Sequence, residues 1–102
     1  MRAGRYILNG KQPVPVSETG EWGQWFENAD NRRVAFDTVA GGVQVSTVFI
    51  GLDHNFGDGP PLLFETLVTG GALDGEMERY STWDEAERGH QAMLERIRGI
   101  AE

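Results

Sequence analysis

A group of polar side chains follows the apolar segment at residues 46–50, at the point where a strand would end. This group, within the loop at residues 51–60, contains Asp53, His54 and Asn55. A carboxylate, an imidazole and an amide are able to ligate a metal, move a proton or hydrogen-bond a polar ligand. Because functional side chains concentrate on loops carried by rigid elements, the 51–60 loop is the first candidate for a site.

Metal binding matches the spacing of this loop poorly. An EF-hand loop beginning at Asp53 would need an oxygen ligand, a glycine and a glutamate at its fifth, sixth and twelfth positions. Those positions hold Gly57, Asp58 and Phe64 instead. The chain has no cysteine, which excludes thiolate metal sites and disulfides. We therefore predict no metal and no cofactor.

Catalysis is a minor interpretation of the same residues. His54 is the better general base, because it lies on a loop, whereas His90 lies on the apolar stripe of the last predicted helix. A histidine in such a stripe is usually a hydrogen-bonded core or interface residue. No serine has the spacing of a nucleophile elbow, and no phosphate-binding glycine motif is present. The sequence predicts no catalytic residue and no enzyme activity.

Recognition without chemistry fits the composition of the loop better, since its short polar groups and nearby aromatic and guanidinium groups suit a small polar ligand or a partner protein. The predicted ligand-binding residues are Trp25, Arg33, Thr47, Asp53, His54, Asn55 and Phe56. The alternative is a plain turn. In that case Asp53 and Asn55 satisfy the backbone of their own loop, and Phe56 packs into the core. Both interpretations stand at this point.

Strand composition recurs along the chain between glycine and proline turn signals. Asn9-Gly10 marks a tight turn, and Pro13 and Pro15 confine the residues around them to a sheet edge or a loop. The predicted strands cover residues 5–8, 33–39, 43–50, 62–69 and 76–80.

Two helices are predicted, one in the N-terminal half and one at the C-terminal end. The first begins at a Ser17 cap and runs to Asn28, with an aromatic face whose usual role is core packing. The second begins at Ser81 or Thr82, with Glu85 in the spacing of a capping box. Its apolar face consists of Ala86, His90, Met93, Leu94 and Ile97.

Together these elements predict one α+β domain over residues 1–102: an antiparallel sheet of about four strands, with both helices packed against it. Residues 48–50 are apolar at both strand parities, so part of the second sheet face also requires cover. Because two helices cover little of a second face, we expect a homodimer or a higher homo-oligomer.

Charge and composition restrict the partners. Sixteen acidic against nine basic residues give a net charge of −7, which repels a nucleic-acid backbone at long range. No segment has the length or hydrophobicity expected of a membrane span or a secretion signal. We therefore expect neither nucleic-acid nor membrane binding, and a location in the cytoplasm, which the absence of cysteine also suits.

The chain contains four longer motifs: W-x-x-W-F-E from Trp22, R-V-A from Arg33, V-S-T-V-F-I-G-L-D-H-N-F-G-D-G-P-P-L-L-F-E-T from Val45 and E-R-Y-S-T-W-D-E-A-E-R-G-H from Glu78. Together they resemble a family of small uncharacterised proteins of tailed phages and prophages. The resemblance spans most of the chain. It implies an accessory role, because small phage proteins of this kind often blunt host defence.

Among such roles, DNA mimicry requires dense carboxylates on one face, whereas the acids of this chain are interspersed with arginines. The resemblance therefore implies a non-catalytic protein that sequesters a small nucleotide-like immune signal inside the host bacterial cell. The alternative is an inhibitor that binds a host defence protein directly.

Overall fold

The computed structural model describes residues 4–16, 19–28, 32–55 and 57–101. Its elements are, in chain order, β1 (Tyr6–Asn9), β2 (Gln12–Pro15), α1 (Thr19–Asn28), β3 (Arg33–Val39), β4 (Val43–Phe49), β5 (Phe64–Thr69), β6 (Met77–Tyr80) and α2 (Trp83–Ala101). The predicted α+β fold is confirmed. Ser17, the predicted cap of the first helix, lies outside the described residues.

The main sheet is an antiparallel meander of four strands in the order β3-β4-β5-β6. The hairpin between β3 and β4 turns through Ala40–Gly42, as the glycine pair predicted. β5 begins at Phe64, two residues later than expected, and the amide of Leu62 donates to the carboxylate of Asp53 rather than to a strand.

The first two strands form a separate hairpin, with β1 paired antiparallel to β2. The two prolines expected at an edge or in a loop, Pro13 and Pro15, lie in this small sheet. Two backbone hydrogen bonds join its beginning to the 51–60 loop, from the amide of Tyr6 to the carbonyl of Gly51 (2.8 Å) and from Asp53 to Gly4 (2.9 Å).

The core lies between the main sheet and the helices, in two apolar clusters. The first cluster contains Leu8, Phe49, Leu63, Phe64 and Ala86, and the second contains Val43, Val45, Val68, Met93 and Leu94. A layer of buried polar residues separates them, since Thr47 follows Val45 on the same face of β4 and His90 precedes Met93 on α2.

Helix α1 packs by the aromatic face that the sequence predicted. The Trp25 ring meets Phe49 edge-on with centroids 5.7 Å apart, and the Phe26 ring stacks on Phe49 at 6.0 Å. Because α1 contains two glycines, which disfavour a helix, this aromatic contact supplies much of its stability.

Helix α2 begins with the predicted capping box, and Thr82 is the cap. The amide of Glu85 donates to Thr82 Oγ1 (3.1 Å), and the Glu85 carboxylate accepts from the amides of Thr82 (3.1 Å) and Ser81 (3.2 Å). This helix contains two glycines, Gly89 and Gly99, which are unfavourable for helix formation. A methyl group at Gly89 would overlap the ring of Tyr80, so glycine is what allows β6 to approach α2.

We expect Gly89→Ala to lower the free energy of unfolding by about 1–3 kcal/mol, because the added methyl displaces the Tyr80 ring. Gly99→Ala in the same helix is the matched control, since nothing lies within 4 Å of the position its Cβ would take. It should be neutral or stabilising by up to about 1 kcal/mol. Urea denaturation of both variants measures the difference, and equal changes would contradict the role given to Gly89.

The opposite face of the main sheet carries apolar side chains in one row across the strands. Phe36, Ser46, Leu67 and Met77 are register partners from β3 to β6. Phe36 and Met77 are each 41% exposed and Leu67 is 37% exposed. We call this row the open-face row, and it matches the expectation of apolar residues on both sheet faces.

Candidate functional site

The 51–60 loop is shaped by its own side chains. Asp53 Oδ1 accepts from the amides of Asn55 (2.8 Å) and Leu62 (3.1 Å). Asn55 Oδ1 accepts from the amide of Gly57 (3.0 Å), and its Nδ2 donates to the carbonyl of Pro60 (2.9 Å). These are the local bonds of the turn interpretation, and they hold the Pro60–Pro61 segment in a fixed place.

His54 is half-buried and also bonds within the loop. Its Nδ1 lies 2.8 Å from the carbonyl oxygen of Leu52. Because a carbonyl only accepts, Nδ1 carries the proton, and Nε2 is the acceptor of the neutral ring. Phe56, the aromatic residue predicted for ligand stacking, lies outside the described residues.

The other three predicted ligand residues occupy different surroundings. Trp25 packs against Phe49 on the helix side of the sheet. Arg33 is the register partner of Val48 on the opposite face, and its guanidinium lies 4.8 Å from the Phe36 ring centroid. Thr47 is fully buried under α2. The structure therefore joins Asp53 to Asn55 but does not gather all the predicted residues, whose ligand-binding role stays a prediction.

A hydrogen-bonded chain of side chains crosses the sheet beneath α2, with His90, Thr47 and Thr66 fully buried and the Asp37 side chain 48% exposed. His90 Nε2 lies 2.7 Å from Asp37 Oδ2, and its Nδ1 lies 2.7 Å from Thr47 Oγ1. Thr47 Oγ1 in turn lies 2.5 Å from Thr66 Oγ1, to which the Tyr80 hydroxyl donates at 3.1 Å. The expected satisfied core histidine is confirmed at His90, which is fully buried.

The residues at the two ends of this hydrogen-bonded chain determine which group donates in each of its hydrogen bonds. The Asp37 carboxylate accepts from His90 Nε2, and the tautomer with its single proton on Nε2 leaves Nδ1 to accept from Thr47. Thr47 then accepts from Thr66, which accepts from Tyr80. Burial raises the pKa of the Tyr80 phenol above its ordinary value, against the lowering effect of its bond to Thr66. The raised pKa keeps the phenol protonated and able to donate.

Asp37, His90 and Thr47 have the order carboxylate, imidazole and hydroxyl found in hydrolase triads. Thr47 has no exposed surface, however, and its hydroxyl lies against Thr66. A substrate therefore has no path to this oxygen. What the arrangement does is satisfy buried polar groups between two apolar clusters, which fixes the position of α2 on the sheet.

A groove lies between the β1–β2 hairpin, Pro60–Pro61 and the start of α2, with a volume of about 870 Å³. Aromatic rings and cations line it, namely Tyr6, Trp83, Lys11 and Arg88. The Lys11 ammonium lies 5.6 Å from the Trp83 ring centroid. We call this cavity the hairpin groove. Sequence reasoning missed it, although Lys11 is the only lysine of the chain and Trp83 directly follows the helix cap.

Both signs of charge are present in the hairpin groove. Asp84 and Glu85 line it together with the two cations. The Glu85 carboxylate is engaged by the backbone amides at the helix start, and Lys11 also approaches Glu87 at 4.0 Å. The groove therefore suits a ligand that combines a planar ring and an anionic group with hydroxyl or amino donors for the acids.

No family model matches the chain, and no curated protein or solved structure matches it significantly. The resemblance to small phage proteins stays a prediction, because no match bears on it. Function has to be inferred from the side chains of this chain.

Two further observations concern the described part of the chain. In residues 4–16, 19–28, 32–55 and 57–101, no three His, Cys, Asp or Glu side chains are grouped so that they would hold a metal ion. Over the same ranges, neither helix combines the length and the apolar character that crossing a bilayer requires.

Proposed function

We propose that the protein binds a small nucleotide-like molecule in the hairpin groove without changing it chemically. The observation that carries the proposal is the groove's combination of Trp83 and Tyr6 rings with the Lys11 and Arg88 cations. In view of the phage resemblance, the ligand is an immune signal of the bacterial host. By holding it, the protein withdraws the signal from its receptor.

Each lining group has a part in recognising such a ligand. A base stacks on an indole or phenol ring, and such stacking contributes about 1–3 kcal/mol per base. Arg88 offers a planar pair of donors to a phosphate, and Lys11 offers a compact positive charge. The Asp84 carboxylate lines the same groove and accepts from the ribose hydroxyls or from exocyclic amino groups.

The overall charge of the protein opposes an anionic ligand. With a net charge of −7, the field beyond about a Debye length, roughly 8 Å, repels phosphate. Binding therefore depends on short-range stacking and on the two local cations. The affinity for a charged nucleotide should consequently fall when either the aromatic or the cationic partner is removed.

The 51–60 loop contributes to this groove by position. Pro60 and Pro61 line it, and the Asn55 side chain donates to the carbonyl of Pro60. Asp53 fixes the other end of the same segment through the amide of Leu62. In this proposal Asp53 and Asn55 are positioning residues that hold one wall, and they need not touch the ligand.

We expect a thermal-shift screen of cyclic nucleotides and ADP-ribose derivatives to reveal a ligand that raises the melting temperature, because binding to the folded state alone stabilises it. Titration calorimetry should then show that Lys11→Glu raises the dissociation constant at least about tenfold. Arg98→Glu makes the same charge change in an exposed last turn of α2 and serves as the control. Trp83→Phe should weaken binding less than Lys11→Glu while it keeps the core contact with Phe64.

Two results would contradict the proposal. One is the absence of any stabilisation across the nucleotides screened. The other is a ligand whose affinity falls equally in Lys11→Glu and Arg98→Glu, since the effect would then come from net charge and not from the groove.

A second candidate function is favoured by the open-face row. Phe36, Leu67 and Met77 present apolar surface that suits a protein partner, as an inhibitor of a host defence protein would require. Leu67→Glu should abolish binding to such a partner and leave nucleotide binding unchanged. The reverse pattern, loss with Lys11→Glu only, would favour the nucleotide ligand.

A further inference from the structure

A second groove lies between helix α2 and strand β3, which is an edge strand of the main sheet. Its volume is about 440 Å³, and Val34 and Ala35 form its strand side. Within the described residues β3 pairs only with β4, so its outer edge leaves backbone groups unpaired. An unpaired edge of seven residues without proline or lysine is a surface that proteins normally cover.

Five residues of α2 line the helix side of this groove; Glu87 lies 4.0 Å from Lys11, and the other four form a stripe on one face of the helix. Arg88, Gln91, Ala92 and Glu95 follow the spacing i, i+3, i+4 and i+7, and all four are exposed. We call them the α2 stripe. Neither Arg88 nor Glu95 takes part in an ion pair within the described ranges.

The α2 stripe is complementary in charge to a second copy of itself. If two stripes meet antiparallel about a twofold axis between Gln91 and Ala92, Arg88 of each copy faces Glu95 of the other. The small Ala92 at the centre permits the close approach of two helices. An interface about a twofold axis requires this kind of self-complementary surface.

We propose that two copies of the chain dimerise through the α2 stripe and the adjacent β3 edge. The interface contains two equivalent Arg88–Glu95 pairs and shields the outer edge of β3. The open-face row is a weaker candidate for the same role, because Glu65 and Arg79 beside it already pair within one chain at 3.2 Å.

Light scattering at micromolar concentration should give twice the chain mass of 11.3 kDa. Arg88→Glu and Glu95→Arg should each raise the dimer dissociation constant at least about tenfold, because each places like charges opposite one another twice. The double variant carrying both changes should restore the dimer, since it exchanges the signs of every pair. Glu78→Arg, on the exposed strand β6 at the other sheet edge, is the control and should leave the dimer intact.

Hydrogen exchange gives a second measurement, which reports on the β3 edge itself and not on the mass of the assembly. Amides of residues 33–39 should exchange more slowly in the wild-type dimer than in the Glu95→Arg monomer. A wild-type mass of 11.3 kDa overturns the proposal. So does a dimer that both single variants leave unchanged, or a double variant that stays monomeric. Glu95 does not line the hairpin groove, so the Glu95→Arg result is independent of nucleotide binding, whereas Arg88 lines both grooves and its variants also test the proposed ligand site.

Discussion

We expect His90→Ala to lower the free energy of unfolding by about 2–5 kcal/mol, the range for truncating a large buried side chain. The fully buried His90 ring fills space between the two apolar clusters. Its loss also leaves Thr47 without the acceptor at Nδ1, and an unsatisfied buried hydroxyl adds to the cost of the cavity.

Thr47→Val separates the hydrogen bonds from the cavity, because valine keeps the shape and removes the hydroxyl. We expect the free energy of unfolding of this variant to fall by about 1–3 kcal/mol, since His90 and Thr66 both lose a hydrogen-bond partner. Urea denaturation of the two single variants and the double variant forms a cycle. The two changes should be coupled by about 1 kcal/mol or more, as expected for one shared network. Additive losses, or a His90→Ala variant as stable as the wild type, would contradict the network described.

The fold was largely predictable because its signals are local. Strand composition marked β3 and β4, and the glycine pair between them marked the hairpin turn. The pairing of Thr82 with Glu85 at the start of α2 follows from a spacing of three residues. In each case the residues that form the structure are neighbours in the chain.

The buried network was only partly predictable. The apolar stripe of the last helix indicated that His90 is buried and hydrogen-bonded, which the structure confirms. Its partners were not predictable, because Asp37 and Thr47 lie 53 and 43 residues away. They reach His90 only through the register of β3 and β4 and the position of α2 on the sheet.

The candidate site was also only partly predictable from the sequence. Asp53 and Asn55 were expected to bond either a ligand or their own loop, and the bonds within the loop span two to nine residues. The hairpin groove joins Lys11 and Trp83 from opposite ends of the chain, so no local pattern indicated it. The role of Gly89 likewise depends on the position of Tyr80, which no pattern within the helix indicates.

We expect Gly51→Ala to lower the free energy of unfolding by about 2–5 kcal/mol through two separate effects. Gly51 has φ of 71°, where a residue with a Cβ is strained by about 1–2 kcal/mol. In addition, a methyl group at this position would overlap the Phe26 ring and reach to 3.0 Å from the carbonyl oxygen of Tyr6. Forcing an extra carbon into a packed core costs a further amount of about 1–3 kcal/mol.

The Phe26 ring is poorly able to move aside. Its centroid lies 4.6 Å from that of Trp22, and the Arg32 guanidinium lies 4.8 Å from it. Relief would therefore have to come from the backbone, through the bond that ties the amide of Tyr6 to Gly51. Because Tyr6 also lines the hairpin groove, a shift of its backbone should lower the affinity for the proposed ligand as well as the free energy of unfolding.

Gly10→Ala is the control that separates the two effects. Gly10 has a similar φ of 65°, but nothing lies within 4 Å of the position its Cβ would take. It should therefore lose only the backbone term, about 1–2 kcal/mol. Denaturation curves of the two variants give the loss in the free energy of unfolding for each. The amount by which the Gly51→Ala loss exceeds the Gly10→Ala loss measures how tightly α1 and β1 pack around the beginning of the 51–60 loop. Equal losses would mean that the backbone angle alone requires glycine at residue 51, and that Phe26 gives way to the added methyl.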